Sequence, residues 1–182
     1  VIFTSDNGTH QTMTTRRNGV QVRGGKGITT LAGTHIPFIA KWEGVLPAGH
    51  TVDGLVDIMD ILPTLADITD QELDESRTDG VSLMPLLLGQ KQSVREHIFH
   101  HYSPRRPLRP TEPRRYAFNT RWKLYGDGHF YDMKRDPLEE NPIYRKDLSA
   151  DAHRNKQALQ KVLDKIDDGP LGEDWTHPSM EN

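Results

Sequence analysis

Hydrophobic positions change their spacing partway along the chain. Val1-Ile2-Phe3-Thr4-Ser5 is a short run of β-branched and aromatic residues, closed by the turn signal Asp6-Asn7-Gly8. Ile36-Pro37-Phe38-Ile39-Ala40-Lys41-Trp42 reads as a second buried strand, with Pro37 near its start because proline cannot donate to a ladder. The polar, Gly-rich stretch from Thr9 to Gly33 reads as one long loop, of the kind that is functional or disordered. Ile61, Leu62, Leu65 and Ile68 then recur at helical spacing. With Asp57 as N-cap, Pro63 would fall inside the helix and remove a hydrogen bond. With Asp60 as N-cap it falls in the first turn, where its missing N–H costs nothing. The pattern therefore predicts a helix starting at Asp60. A second short helix repeats the device, with Ser82 capping, Pro85 in the first turn and Gly89 as terminator.

Beyond residue 97 the period becomes that of strands. Residues 98–102, 116–120, 122–125 and 129–133 are short strand candidates, the last two joined by a tight hairpin at Gly126-Asp127-Gly128. Ala150 to Ile166 is amphipathic, with Ala158, Leu159, Val162, Leu163 and Ile166 on one stripe and Ser149 as N-cap. From Gly169 the composition is that of a loose tail. The expected organisation is α/β over 1–97, a small antiparallel sheet with a helix over 98–168, and a tail over 169–182. There is no internal repeat.

Composition narrows the class. The 182 residues are 34% hydrophobic and 27% charged, with a net charge of −3. That is too apolar for a disordered chain and too polar for a membrane protein, and no apolar run approaches about 18 residues. Near-neutral charge argues against a general nucleic-acid binder. The absence of cysteine excludes disulfides, thiolate metal sites and a cysteine nucleophile. The chain enters directly on an apolar β-run at Val1, with no charged leader or signal-peptide core. This reads as a cut chain, the alternative being a mature protein that starts at Val1.

Two short motifs carry candidate chemistry. Asp6 offers a carboxylate and Asn7 a carbonyl oxygen at the carboxyl end of a strand, where open parallel sheets bind ligands. Both are hard ligands suited to Ca²⁺ or Mg²⁺. Ser5-Asp6-Asn7-Gly8 also makes an ordinary Asx-turn without a metal. In Arg23-Gly24-Gly25-Lys26-Gly27 the glycines permit close backbone approach, and Lys26 is a point charge suited to an oxyanion. The spacing is not that of a P-loop, and a plain surface turn fits it too.

The order of features adds what neither motif carries alone. The chain runs TSDNG, GGKG, GTHIPFIAKWEG, DIMDILPTLADI, DGVSLMPLLLG and, late, HFYDMKRDPLEEN. This series, over residues 1–142, resembles the C-terminal half of the sulfatases of the alkaline-phosphatase-like superfamily. The resemblance implies the C-terminal part of an α/β/α sandwich followed by a small antiparallel sheet with a C-terminal helix. It implies hydrolysis of sulfate esters, aryl or carbohydrate, with Asp6 and Asn7 as ligands of a Ca²⁺ (or Mg²⁺) ion and Lys26 contacting the sulfate. A divalent cation and a lysine would stabilise the charge on the sulfuryl oxygens.

Two departures from the family pattern matter. The EGG-x-R-type stretch after the lysine reads here Leu31-Ala32-Gly33-Thr34-His35, which puts His35 at the arginine position. His35 is a substrate-contact candidate or a loop histidine; His10, close behind the metal motif, is a weaker candidate. Sulfatases also use a formylglycine made from the first residue of C/S-x-P-x-R. No cysteine exists here, and no serine has proline at +2 and arginine at +4. The nucleophile and the other metal ligands are therefore expected in an upstream half of the same polypeptide, and this chain alone is expected to be inactive. Asn7-Gly8-Thr9 reads as a glycosylation sequon, which a metal ligand in a cleft argues against. The family implies a periplasmic, secreted or lysosomal location.

Between Pro104 and Lys123 the net charge is +6, with Pro104, Pro107, Pro110 and Pro113 spaced by three as on one face of polyproline II. That segment is an anionic subsite, a ligand for a proline-reading domain, or an extended connection with solvated arginines. Two rivals to the sulfatase reading remain: a phosphodiesterase or phosphonate hydrolase of the same superfamily, and a non-catalytic module for sulfated glycans.

Overall fold

The structure, a computed structural model, describes residues 1–17, 19–103 and 114–166. The expected tail and the proline series from Pro104 to Pro113 lie outside those residues.

The largest sheet is antiparallel, in the order β5 (Ile98–Tyr102), β6 (Arg114–Phe118), β7 (Trp122–Tyr125), β8 (Phe130–Asp132). On β7 all four residues are buried, because both faces are covered. Trp122 and Leu124 pack with Ala117 and Phe130 against Ala152, Leu159 and Leu163 of α4 (Ala150–Lys165). The Trp122 and Phe130 rings stack with centroids 5.2 Å apart. Lys123 and Tyr125 point the other way, toward residues 26–29. The Gly126-Asp127-Gly128 hairpin forms as expected, with Gly128 in the left-handed region at φ +90°. The second of the four strand candidates, 116–120, is shifted: β6 starts at Arg114, and Asn119-Thr120 is a turn. The Asn119 carboxamide oxygen accepts the N–H groups of Arg121 (2.9 Å) and Trp122 (2.7 Å), which ends the strand.

Helix α4 has the expected N-cap, Ser149 Oγ accepting from Ala152 N–H at 3.1 Å. Its buried stripe is displaced toward the N-terminus: Ala152, Leu159 and Leu163 are buried, Ala158 is exposed and Ile166 is partly exposed. At the far end Arg115 donates to the carbonyls of Leu163 (2.7 Å) and Ile166 (3.2 Å), so an arginine of the basic segment serves the last helical turn. Arg121 is likewise structural, donating twice to Asp132 (2.8 and 3.1 Å) and lying over Trp122.

The first hundred residues depart further from expectation. β1 (Ile2–Thr4) pairs antiparallel with β4 (Phe38–Ala40), and among the described residues these two make a sheet of their own. Neither strand is buried as expected: Phe3 is 61% and Ile39 60% exposed, because no further layer covers them among the described residues. The stretch from Thr9 to Gly33 is not one structureless loop. It holds the hairpin β2 (Thr14–Arg17) and β3 (Val20–Arg23), turned through Gly19 at φ +81°, and the single turn α1 (Leu31–Thr34). β-Branched residues on both sides of a left-handed glycine are the signal for it.

Helix α2 (Ile61–Ile68) begins where Pro63 requires, but Asp57 does the capping. A 3₁₀ turn over Ile58–Asp60 precedes it. Asp57 accepts Met59 N–H at 3.2 Å, and Asp60 reaches back to Asp57 N–H at 2.9 Å. The tighter turn admits a cap outside the α-helix while Pro63 stays in its first turn. Asp60, 0% exposed, also accepts Val81 N–H at 2.9 Å and pairs with Arg95. In α3 (Met84–Leu87) Ser82 Oγ accepts Met84 N–H at 3.2 Å, Pro85 lies in the first turn and Gly89 follows at φ +72°.

Candidate functional site

Asp6, Asn7, Lys26 and His35 all border one open cleft of about 1150 Å³, between the β1–β4 pair and the β5 face of the large sheet. What gathers them is close backbone packing. The Asp6-Asn7-Gly8 turn, the Gly24–Gly27 turn and α1 lie against one another, with Gly8 N–H donating to Gly33 O and Lys26 N–H to Thr9 O, both at 2.9 Å. A Cβ on Gly8 would lie 2.1 Å from Ala32 O, and one on Gly25 2.6 Å from the Ala32 carbonyl carbon. The close approach that the glycine-rich motif permits is thus to the chain's own backbone, and its consequence is where Lys26 sits.

Asp6 is exposed, its carboxylate touched among the described residues only by Ser5 Oγ at 3.5 Å. Ser5 Oγ also donates to Asn7 O at 3.0 Å, which holds the turn. Asn7 Oδ1 is buried and accepts no hydrogen bond among the described residues, an arrangement that native proteins avoid unless the oxygen has another use. A carboxylate and an orphaned carboxamide oxygen side by side fit a hard divalent cation. Two ligands are fewer than the six to eight that Ca²⁺ takes, and the described residues contain no cluster of three or more His, Asp or Glu side chains able to hold a metal.

Lys26 is exposed, and its ammonium has no partner among the described residues. His35 ends α1, its N–H donating to Leu31 O at 2.9 Å and its ring exposed. His10 does not border the cleft; its Nδ1 bonds Thr12 Oγ1 at 2.9 Å within its own turn.

The cleft also holds residues the sequence reading missed. On β5, Ile98, His100 and Tyr102 line it at a period of two, and His101 borders it as well. His100 Nε2 meets Asp57 Oδ2 at 3.0 Å, and its Nδ1 meets Tyr116 OH at 2.8 Å. Both ring nitrogens are engaged, so His100 joins the start of α2 to the sheet and has no nitrogen left for a substrate proton. Burial pushes the Asp57 pKa up, but the hydrogen bonds from His100 and Met59 and the charges of His100 and Arg95 outweigh it and hold the carboxyl below the usual range. Burial is also the main cause that drives the Tyr116 phenol far above its ordinary pKa. Tyr102 OH donates to Gly27 O at 3.1 Å, beside Lys26. The alternation Ile98-x-His100-x-Tyr102 is the signal that points to these side chains.

Comparison with known proteins gives consistent likenesses. The family profile described as N-sulphoglucosamine sulphohydrolase, C-terminal, matches residues 30–168. Arylsulfatase A of Homo sapiens is 41% identical over 179 aligned residues, covering 89% of this chain and 34% of that protein. Steryl-sulfatase of Rattus norvegicus is 42% identical over 86 residues, covering 46% of this chain and 15% of that protein. The chain thus spans about a third or less of the length of these curated relatives. Among solved structures, BT4656 in complex with D-glucosamine-2-N,6-O-disulfate matches with a TM-score of 0.67 and 23% identity, over 90% of this chain and 33% of that one. BT1596, a 2-O GAG sulfatase, matches with a TM-score of 0.60 and 26% identity, over 80% of this chain and 32% of that one.

Proposed function

The chain belongs to the sulfatase family, with the fold of its C-terminal part, and from that membership we propose that it supplies one side of the active site of a sulfate-ester hydrolase. The observation that carries this reading is the gathering of Asp6, Asn7 and Lys26 on one cleft, with Asn7 Oδ1 buried and unpartnered among the described residues. Asp6 and Asn7 Oδ1 would be two ligands of a Ca²⁺ (or Mg²⁺) ion, and an upstream segment of the same polypeptide would bring the rest. The ion supplies positive charge beside the sulfuryl oxygens as the ester bond breaks. Lys26 would hold the same group through its free ammonium, and His35 would contact the substrate further along the cleft. The formylglycine nucleophile would also come from upstream, so the isolated chain would not turn over substrate.

Within that enzyme, residues 1–97 would complete the α/β part and 98–168 an appended sheet-and-helix unit. Upstream chain would cover Phe3 and Ile39, and the outer face of α2, where Leu62 is 55% and Leu65 48% exposed. The substrate class is a sulfated sugar or aryl sulfate. The sugar side is favoured by the glucosamine disulfate in BT4656 and the glycosaminoglycan specificity in the name of BT1596. A periplasmic, secreted or lysosomal setting fits such substrates. No helix among the described residues is long and apolar enough to cross a membrane.

The test is turnover of p-nitrophenyl sulfate and of N- and O-sulfated glucosamine by the full-length protein. Lys26→Ala and Asp6→Ala should each lower kcat/KM by about 10²–10³, the cost of losing one charge-stabilising group. Full turnover in both variants, or turnover by the 182-residue chain alone, would overturn the reading. Hydrolysis of phosphodiesters in preference to sulfate esters would overturn the substrate class. Calorimetry on the chain alone should find no Ca²⁺ site tighter than about millimolar, as two oxygen ligands imply.

A further inference from the structure

Three side chains of the large sheet reach the segment that carries Lys26. Tyr102 OH donates to Gly27 O at 3.1 Å, Lys123 Nζ donates to Thr29 O, and Tyr125 OH meets Thr29 Oγ1 at 3.0 Å. Thr29 is 3% exposed and Lys123 1%, although both belong to residue types that usually face water. The counter-charge is Glu139, from the loop after β8. Its Oε1 lies 2.8 Å from Lys123 Nζ, and its Oε2 accepts from Tyr125 OH. The ammonium also lies over the rings of Tyr116 (4.2 Å) and Tyr125 (4.9 Å). Glu139 takes this place in the left-handed region, at φ +58°, which a non-glycine residue adopts only when its surroundings impose it.

A buried ion pair is an inefficient source of stability. Desolvating both charges costs about as much as their attraction returns, and an apolar pair of similar volume commonly does as well or better. Burial indeed pulls the Lys123 pKa down, and Glu139 offsets only part of that. The other face of β7 already carries the apolar core. What the ion pair adds is direction. A lysine anchored between a carboxylate and two rings presents one of its other N–H groups to a single backbone carbonyl, three residues from Lys26.

We propose that Lys123 and Glu139, with Tyr125 as their third member, are positioning residues: they lock the 26–29 turn onto the sheet and so set where the Lys26 ammonium stands in the cleft. Neither Lys123 nor Glu139 borders the cleft, so neither touches substrate. The proposal rests on the reading of Lys26 as the sulfate-contacting residue.

Amide hydrogen exchange on the full chain tests it. The double variant Lys123→Met/Glu139→Gln removes both charges and leaves neither stranded. Exchange at the Lys26 and Ile28 amides, which donate to Thr9 and Gly25, should speed up by about tenfold or more. The Ala117 and Leu124 amides of the β6–β7 ladder should keep their protection. Unchanged protection at Lys26 and Ile28, or a loss spread equally through the ladder, would overturn the proposal. If the double variant does not fold, Tyr125→Phe decides: it deletes only the hydroxyl that joins Glu139 to Thr29, and should raise exchange at those two amides alone by about threefold, as one lost hydrogen bond implies. In the full-length protein, KM for p-nitrophenyl sulfate should rise in Tyr125→Phe with the melting temperature held. A loosened turn together with a fully active Lys26→Met would uphold the positioning and overturn the sulfate role of Lys26.

Discussion

The sheet of β5–β8 and the β1–β4 pair bound the same cleft and are built in opposite ways. On β7 one face is closed by α4 and the other by the 26–29 turn. On β1 and β4, Thr4, Phe38, Ile39 and Ala40 border the cleft, and Phe3 and Ile39 are mostly exposed. The residues with candidate chemistry, Asp6, Asn7, Lys26 and His35, all belong to the less supported side. The supported side contributes mainly fasteners: Tyr102 to Gly27, Lys123 and Tyr125 to Thr29, His100 to Asp57. A cleft wall made of glycine turns packed on one another's backbone cannot carry much core of its own. Its geometry is therefore set from outside, by a neighbour that can.

Breaking the core of the supported side should have the largest effect. Leu124 is 0% exposed, and Leu124→Ala should cost about 2–5 kcal/mol, cavity included. Leu62 is 55% exposed, and Leu62→Ala should stay within about 0.5 kcal/mol. Urea denaturation of the two variants side by side measures the difference; equal costs would mean that the outer face of α2 is covered in solution, by self-association or by another layer.

Asp60→Ala comes next. Asp60 is the fastener inside the first hundred residues, holding Asp57 N–H, Val81 N–H and Arg95 from a fully buried site. Its loss leaves the largely buried Arg95 without its counter-ion and should cost about 3–5 kcal/mol. Asp6→Ala, at an exposed carboxylate with no ion pair among the described residues, should change the denaturation midpoint little. The pair separates a carboxylate that holds the fold from one that does not.

These contrasts mark how far the sequence could be read. The strands of the large sheet, the hairpin glycines, the Ser149 cap and the gathering of Asp6, Asn7 and Lys26 were legible because each rests on local chemistry or on the order of motifs. The β1–β4 pairing was not, since an apolar run does not disclose its partner, its direction or whether anything covers it. The role of Asp57 was missed because the proline argument assumed that the helix begins as an α-turn, and a 3₁₀ turn evades it. The Lys123–Glu139 pair lies 16 residues apart in the chain and meets only once β7, β8 and the following loop are folded. No spacing rule anticipates such a contact.

A smaller effect, and a pH-dependent one, concerns the fastener at His100. The Asp57 carboxyl is held below its ordinary range, so its contribution is present above the pKa of an unfolded aspartate and is lost as pH falls through the folded value. Asp57→Asn should cost about 1 kcal/mol at neutral pH, the worth of its hydrogen bonds. It should also flatten the decline in stability below the usual carboxylate range. Residual slope would remain from Asp132, which Arg121 and neighbouring N–H groups hold low against the opposing effect of burial. Denaturation midpoints at neutral and strongly acid pH test this; an identical acid decline in Asp57→Asn and the unaltered chain would remove Asp57 from the account.

The smallest expected effect sharpens the comparison most, because one substitution is made at two lysines. Lys26 is exposed and its ammonium has no partner among the described residues, so Lys26→Met breaks no contact and leaves no charge stranded. Its denaturation midpoint should equal that of the unaltered chain. Lys123→Met removes the same charge from a buried site and leaves Glu139 unpaired among Tyr116, Tyr125 and Thr29, at a cost of about 3–5 kcal/mol. In the full-length protein the order should invert for chemistry. Lys26→Met should retain the fold and lose most sulfate-ester turnover. Any Lys123→Met protein that remains folded should retain Lys26 but hold it less firmly. If Lys26→Met proves as destabilising as Lys123→Met, Lys26 is a structural residue with a partner of its own, and the division between a reacting wall and a fastening wall fails at its central residue.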